Sequence, residues 1–359
     1  MSVNHSIIPE AGIDVGFFST KLTVGTGKDG VGAVILTDIF PSWAVRTSMA
    51  TTIGQASQLG FKSVDGVTVE VEGIQYFVGK SALNASSGVG IERSPNENYS
   101  QTPEYRALFL GALYYIAAHH KANGSLTIES LCVGLPVATF GNYRKALAAM
   151  STGTHVIPCP SDHAKTIKVH IKKCNVVVQP QGAAISYGLI NGTRLEEQRV
   201  VVLDMGGGTF DWFFLDEYVP NLSRSGATKM GVLSCVKAIC NQIDSNFGSD
   251  PLIVDRVNKA LIKNLENLEV DGRTFPMKDL WPSAQAVLIG ALNEMAKSVG
   301  NLRAVDRFIF TGGGANILAK AALAENSVLM DQERKFVVDK DPVFSNVKGF
   351  HVMAQLYAG

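Results

Sequence analysis

One short pattern occurs twice, a domain's length apart. Gly12-Ile13-Asp14-Val15-Gly16 and Val202-Leu203-Asp204-Met205-Gly206 both read apolar, Asp, any residue, Gly, and their aspartates are 190 positions apart. Each pattern lies on an apolar run and precedes another, so each reads as strand, tight turn, strand. Such a repeat predicts two similar α/β units, each presenting an Asp-x-Gly hairpin to one shared cleft. The chain's 359 residues suffice for two domains.

The intervening segments fit an α/β class, because strand and helix patterns alternate throughout. Residues 13–24 read as the first hairpin. The strand patterns VTVEVEG and IQYFVG and the polar stretch SPNENYSQTP fall within residues 38–100, which read as a small inserted lobe. Thr102 and Pro103 open a helix as cap and first residue, with Tyr105, Leu108, Phe109, Ala112 and Ile116 on one face. Residues 130–136 read as a short buried strand, 143–150 as a helix and 168–178 as two strands. GAAISYGLI reads as a helix closed by Asn191-Gly192. Helices over 231–243 and 284–299, a strand-turn-helix in RFIFTGGGANILAKAAL and a closing helix in VFSNVKGFHVMAQLYAG complete the pattern. The expected first unit holds residues 1–195 and 335–359, and the second holds 196–334.

Composition narrows the function classes. Lys+Arg and Asp+Glu number 32 each, which argues against a dominant electrostatic footprint for DNA or an anionic membrane. The five cysteines, Cys132, Cys159, Cys174, Cys235 and Cys240, are odd in number and form no C-x-x-C. They read as reduced thiols rather than as a zinc site or a disulfide framework. MSVNHSIIPEAG lacks a basic segment followed by an apolar run, so no signal peptide is expected. The most apolar helix pattern, ALFLGALYYIAA, is shorter than the ~20 residues that cross a bilayer. A cytoplasmic location is the expectation.

The glycine turns carry the chemistry. Consecutive N–H groups in a tight turn form an anion-binding concavity, and glycine leaves no Cβ in a phosphate's way. Gly206-Gly207-Gly208-Thr209 is therefore a candidate phosphate loop. Gly16 to Ser19 is a second, with Lys21 following to supply a cation. Carboxylates beside a phosphate repel it unless a cation lies between, so Asp14 and Asp204 imply Mg2+, held through waters because Mg2+ dehydrates reluctantly. A third turn, Gly312-Gly313-Gly314, follows a strand and opens a helix, which suits a nucleotide's sugar or α-phosphate. Taken singly, each turn reads more readily as an ordinary hairpin or loop, and a strand-end Asp as a turn residue. Three such turns, two of them carrying Asp-x-Gly, point to a nucleotide clamp. Neither G-x-x-x-x-G-K-[ST] nor a G-x-G-x-x-G after the first strand occurs.

On these residues the chain resembles the superfamily of actin, the seventy-kilodalton heat-shock chaperones and the sugar kinases. GIDVGFFSTKL is similar to its first phosphate motif and VLDMGGGTFDW to its second. QPQGAAISYGL resembles the first connecting helix, FIFTGGGANIL the adenosine motif and FSNVKGFHVMA the second connecting segment, in that order across residues 12–354. The Asp-x-Gly…Lys spacing, the GGGA turn and the Asn-x-x-Gly near the C-terminus most resemble the bacterial ParM/StbA-type plasmid-segregation actins. The implied fold is two duplicated actin-like (ribonuclease H-like) α/β domains around a nucleotide cleft, with a small inserted lobe.

The resemblance implies roles by position. Asp14 and Asp204 would orient waters around Mg2+, and Lys21 would contact the β- and γ-phosphates. Backbone groups of Gly16, Phe17, Gly206, Gly207 and Gly208 would hold the phosphates, assisted by the Thr209 hydroxyl. Many relatives carry a hydroxyl where this chain has Phe17, so either one phosphate-contacting hydroxyl is missing or Ser19 stands in for it. Asp211 would position the attacking water or an ion. Gln179, which takes no proton at neutral pH, would align water, implying slow hydrolysis. Gly312, Gly313 and Gly314 would line the adenosine side. Glu294 and Lys297, one turn apart, either reach the nucleoside or form a solvated pair. Trp43 and Trp212 read as core aromatics or assembly contacts.

The implied activity is a Mg2+-dependent ATPase, using ATP or GTP and yielding the diphosphate (ADP for ATP), that polymerises head to tail. It would segregate plasmid DNA through an adaptor bound to centromere-like DNA, without sequence-specific DNA binding of its own and without a membrane partner. Three alternatives share the fold. A small-molecule kinase would need a further base, for which Asp244 and Asp255 are candidates outside any sugar-binding motif. A chaperone-like ATPase is favoured by DMGGGTFDW and QPQGAAISYGL, although the sequence stops at Gly359, before a peptide-binding domain would be expected. An inactive nucleotide-binding scaffold has Phe17 as its only hint.

Overall fold

The computed structural model describes residues 5–28, 33–49, 64–85, 97–191 and 195–358, and Gly192, the expected helix stop, lies outside them. The first sheet opens with an antiparallel hairpin, β1 (His5–Val15) and β2 (Ser19–Lys28), extended by β3 (Ala33–Pro41). A small separate sheet follows, built from β4 (Val45–Arg46), β5 (Val67–Val71) and β6 (Ile74–Val78), then helices α1 (Ala82–Ala85) and α2 (Pro103–His119). The chain re-enters the first sheet as β7 (Ser125–Leu135), parallel to β1, and passes through α3 (Val137–Ser151). It leaves through the hairpin of β8 (Gly153–Cys159) and β9 (Asp162–Val178), giving the order β3-β2-β1-β7-β9-β8.

Helix α4 (Gln179–Asn191) leads to the second sheet, where β10 (Arg199–Met205) and β11 (Phe210–Asp216) form a second antiparallel hairpin. Two short strands, β12 (Val219–Pro220) and β13 (Gly226–Thr228), pair with β11. Helices α5 (Val232–Ile243) and α6 (Pro251–Ile262), the β-ribbon of β14 (Asn267–Val270) and β15 (Arg273–Pro276), and α7 (Met277–Val299) follow. Strand β16 (Arg307–Thr311) lies parallel to β10. Helix α8 (Ala315–Ala322), β17 (Phe336–Val338) parallel to β16, and α9 (Ser345–Ala358) complete the chain. Both sheets thus share one plan: an antiparallel hairpin flanked by two successive parallel strands. The repeat seen in the sequence is a repeat of topology.

Several local readings change. Thr102 caps α2 as expected, its hydroxyl accepting the Tyr105 N–H, but the helix is buried around its whole circumference from Ala107 to Ala117. It lies between the first sheet and the small sheet and so has no solvent face. The expected two strands at 168–178 belong to one strand, β9. Ile167, Val169 and Ile171 point into the core while Lys168, His170 and Lys172 point out, and pairing with β7 continues from Lys168 to Val178 without a turn. Residues 38–41 of the expected lobe end β3 in the first sheet, and 336–338 form an edge of the second. Helix α6 was not expected. Asp250 caps it by accepting the Leu252 and Ile253 N–H groups, and Pro251 holds its first position.

The two connecting helices trade places. Helix α4 follows β9, yet Ala183, Ala184 and Tyr187 pack with Val200, Val202 and Phe213 of the second sheet. Helix α9 follows β17, yet Phe350, Met353 and Ala354 pack with Cys132 and Val177 of the first. They cross glycine on glycine: a Cβ on Gly349 would collide with the Gly182 carbonyl. All five cysteines are free, and burial pushes the Cys174 and Cys235 thiols up to about 12. Among the described residues no helix is long and apolar enough to cross a membrane.

Candidate functional site

Each hairpin delivers a buried carboxylate to the same place. Asp14 is the penultimate residue of β1 and is only 2% exposed. Its cross-strand partner is Lys21, whose Nζ lies 3.1 Å from Asp14 Oδ2. Gln179, the first residue of α4, donates its amide to Asp14 Oδ1 at 2.7 Å. The turn between is closed by Gly16 N–H to Ser19 O.

Asp204 is likewise penultimate in β10, in the corresponding register, opposite Asp211. Asn346 of α9 donates to Asp204 Oδ2 at 2.7 Å, and Asp204 Oδ1 lies against Gly312, where no side chain would fit. Gly312 has φ +83°, so the turn and the close approach both require glycine. Burial raises the Asp204 carboxyl to about 6 against the Asn346 hydrogen bond. Burial likewise raises Asp211 to about 7, although it accepts the Thr209 hydroxyl at 2.7 Å and the Val137 N–H of α3 at 3.0 Å. That last bond runs from the second hairpin to the N-terminus of a first-unit helix.

A cleft of about 680 Å³ lies between the sheets. Its walls bring together Asp14, Gly16, Phe17, Ser19, Lys21, Gln179, Asp204, Gly206, Gly207, Gly208, Thr209, Asp211, Gly312 and Gly313. Three sequence candidates stand apart. Gly314 is buried against Met205 and Val232. Glu294 and Lys297 form a 2.7 Å pair on the exposed side of α7, outside the cleft wall. Trp43 lines the cleft, whereas Trp212 is buried against Gly226. Asp255 lines the cleft but is ion-paired with Lys259, and Asp244 caps a turn by accepting the Asn246 N–H.

Two features escaped the sequence reading. Asn346 belongs to the Asn-x-x-Gly motif, whose side chain was given no role. Helix α6 supplies Asp255, Asn258 and Lys259 to the wall, and its Asp-Pro start was the available signal.

The charge balance decides what the cleft can hold. Where the two hairpins face each other, Asp14, Asp204 and Asp211 meet one lysine, Lys21, so a polyphosphate there needs an added cation. Oxygen donors suit Mg2+, and Asp14 and Asp204, each already fixed by a neighbouring amide, are the residues that would hold its waters. Among the described residues no three or more acidic, imidazole or thiol groups converge as a protein-only cage.

The duplicated sheets, exchanged helices and facing hairpins define an actin-type α/β fold. Residues 12–182 match the N-terminal domain of actin-like proteins, and residues 202–324 match the C-terminal domain of the archaeal actin homologue MreB-like family. The chain belongs to the actin-like superfamily. Among solved structures it is similar to the archaeal actin homologue Ta0583 in complex with ADP, at 20% identity and TM-score 0.68, covering 97% of this chain and 100% of that one. It is also similar to a 15-stranded ParM filament from Clostridium botulinum, at 18% identity and TM-score 0.69, over 97% and 100% of the chains. The chaperone protein DnaK of Prochlorococcus marinus (strain MIT 9515) is 34% identical over 93 residues, 25% of this chain. The match spans only 14% of that chaperone's length.

Proposed function

We propose that the cleft binds a nucleoside triphosphate with Mg2+ and hydrolyses it slowly, coupled to head-to-tail assembly of the chain into filaments. The observation that carries this is the convergence of both Asp-x-Gly hairpins and Lys21 on one cleft. Lys21 faces the phosphates as a cation, while Gly206, Gly207 and Gly208 offer backbone N–H groups. Bound Mg2+ would offset phosphate charge between the two carboxylates. Gln179 keeps Asp14 oriented through its amide. Actin-like relatives solved with ADP and as a filament support the reading. Plasmid DNA segregation through a DNA-bound adaptor is the cellular role it best fits, in the cytoplasm, with ATP or GTP as fuel.

The test is pelleting or light scattering with Mg-ATP, Mg-GTP and Mg-ADP, with phosphate release followed in parallel. Polymer that grows with triphosphate and falls as phosphate appears is the expected result. Hydrolysis without polymer would turn the reading to a chaperone-type ATPase, which the 93-residue similarity to DnaK favours.

A further inference from the structure

Phosphate loops work through backbone, yet the first hairpin's turn carries two adjacent phenylalanines. The Phe17 ring lies 6.4 Å from Tyr99 and edge-on to Phe18 at 5.6 Å. The Phe18 ring packs against the apolar core of the second unit. There it covers Gly207, the middle glycine of the other phosphate loop. A Cβ on Gly207 would meet Phe18 Cδ2 at 2.5 Å, Cγ at 3.1 Å and the Phe18 amide nitrogen at 3.2 Å. Gly207 is absent from the positive-φ glycines, so its backbone conformation does not demand glycine. What it lacks is room.

Both sides of this contact are fixed. Phe18 O accepts the Ser42 N–H at 3.0 Å, and the Thr20 and Ser42 hydroxyls pair at 2.9 Å, anchoring the turn to the end of β3. Across the cleft, Gly206 O and Gly207 O accept the Val232 and Leu233 N–H groups of α5 at 3.0 and 2.9 Å. Gly231 is tight behind them, with a Cβ there 2.6 Å from Gly208 C and Thr209 N. The second loop is therefore held between α5 and a ring supplied by the first unit.

We propose that Phe18 is a positioning residue that sets the spacing of the two phosphate loops, and that Gly207 is glycine to seat that ring. This rests on the nucleotide reading of the cleft. Loops already spaced by a packed ring lose less freedom when a polyphosphate bridges them, so affinity depends on the contact. Gly207 then matters through Phe18 and not through direct clearance for phosphate.

A double-mutant cycle tests it with Gly207→Ala, Phe18→Ala and the double variant, read by Mg-ATP affinity and by thermal unfolding without nucleotide. Gly207→Ala should weaken Mg-ATP binding roughly tenfold in the wild-type background and by less than about twofold in Phe18→Ala, a coupling of the size seen between touching residues. Equal losses in both backgrounds would overturn the proposal, since the new methyl would then obstruct the ligand itself. So would wild-type affinity in Gly207→Ala alone. If Gly207→Ala does not fold, recovery of folded protein in the double variant is the supporting result, and its failure the contrary one. A wild-type chain that binds no Mg-nucleotide would refute the nucleotide reading instead. The same cycle in melting temperature then decides the Phe18 contact, with additive shifts overturning it.

Discussion

The two hairpins share strand order, register and a buried aspartate at the same position, and they differ in what stands opposite. Asp14 faces Lys21 and Asp204 faces Asp211. The first hairpin carries its own counter-charge at 3.1 Å. The second is a pair of buried acids, raised to about 6 and about 7, held by neutral donors from Asn346, Thr209 and Val137. The turns contrast as well: one is bulky, with Phe17 and Phe18, and the other is bare glycine. Duplication supplied a frame, and divergence made its halves complementary. One half contributes the fixed cation and the filling ring, while the other contributes two buried acids held by neutral donors, and space.

Removing the second carboxylate should have the largest effect. Asp204→Ala should lower nucleotide hydrolysis by ~100-fold or more, read as phosphate release, as expected when a group that orders charge at the reacting phosphate is lost. Wild-type turnover would end the assignment. Next, Lys21→Met should break the self-compensation of the first hairpin. Asp14 would keep only the Gln179 amide, and urea denaturation should show a loss of about 3 kcal/mol, as for a buried pair stripped of one partner.

The acid pair of the second hairpin should show itself in pH dependence. The folded-state value of Asp211 lies above its reference value of 3.8, so between about pH 4 and pH 7 the folded chain holds a proton that the unfolded chain has released. Its contribution is therefore most favourable at low pH and is lost as pH rises through 7. Asp211→Asn should gain on the wild type across that window, by of the order of 2 kcal/mol at pH 8 without metal or nucleotide, and by little near pH 4. A flat difference would mean that the two hairpins do not differ in this way. Least affected should be Lys297→Gln, outside both hairpins. Mg-nucleotide affinity should stay within about twofold, because the exposed Glu294 pair contributes little.

The architecture was legible where it is written locally. Asp-x-Gly between apolar runs fixed both hairpins, and their repeat implied the duplicated sheets and common cleft. Helix α2 was read with one apolar face because periodicity reports a buried stripe, whereas the second packing layer comes from distant β5 and β6. Helix α6 is signalled only at its start, by the Asp250 cap and Pro251. Glu294 and Lys297 have the spacing of a binding pair, and only the turn of α7 decides which way they point. The Phe18–Gly207 contact joins segments almost two hundred residues apart, and no local pattern marks it. The Asp211–Val137 bond is invisible for the same reason: it depends on how the units meet.

The helix crossing at Gly182 and Gly349 has a mechanical consequence. Among the described residues the chain passes from the first sheet to the second entering α4 and returns entering α9, and each helix lies on the sheet it arrives at. Two bars bearing on each other without a spacer form a pin joint: they can turn, but they have no slack along the line of contact. A methyl at either glycine acts as a shim driven into that joint. Its thickness is small, but each bar is bolted along a whole sheet, so the displacement grows with distance from the pin.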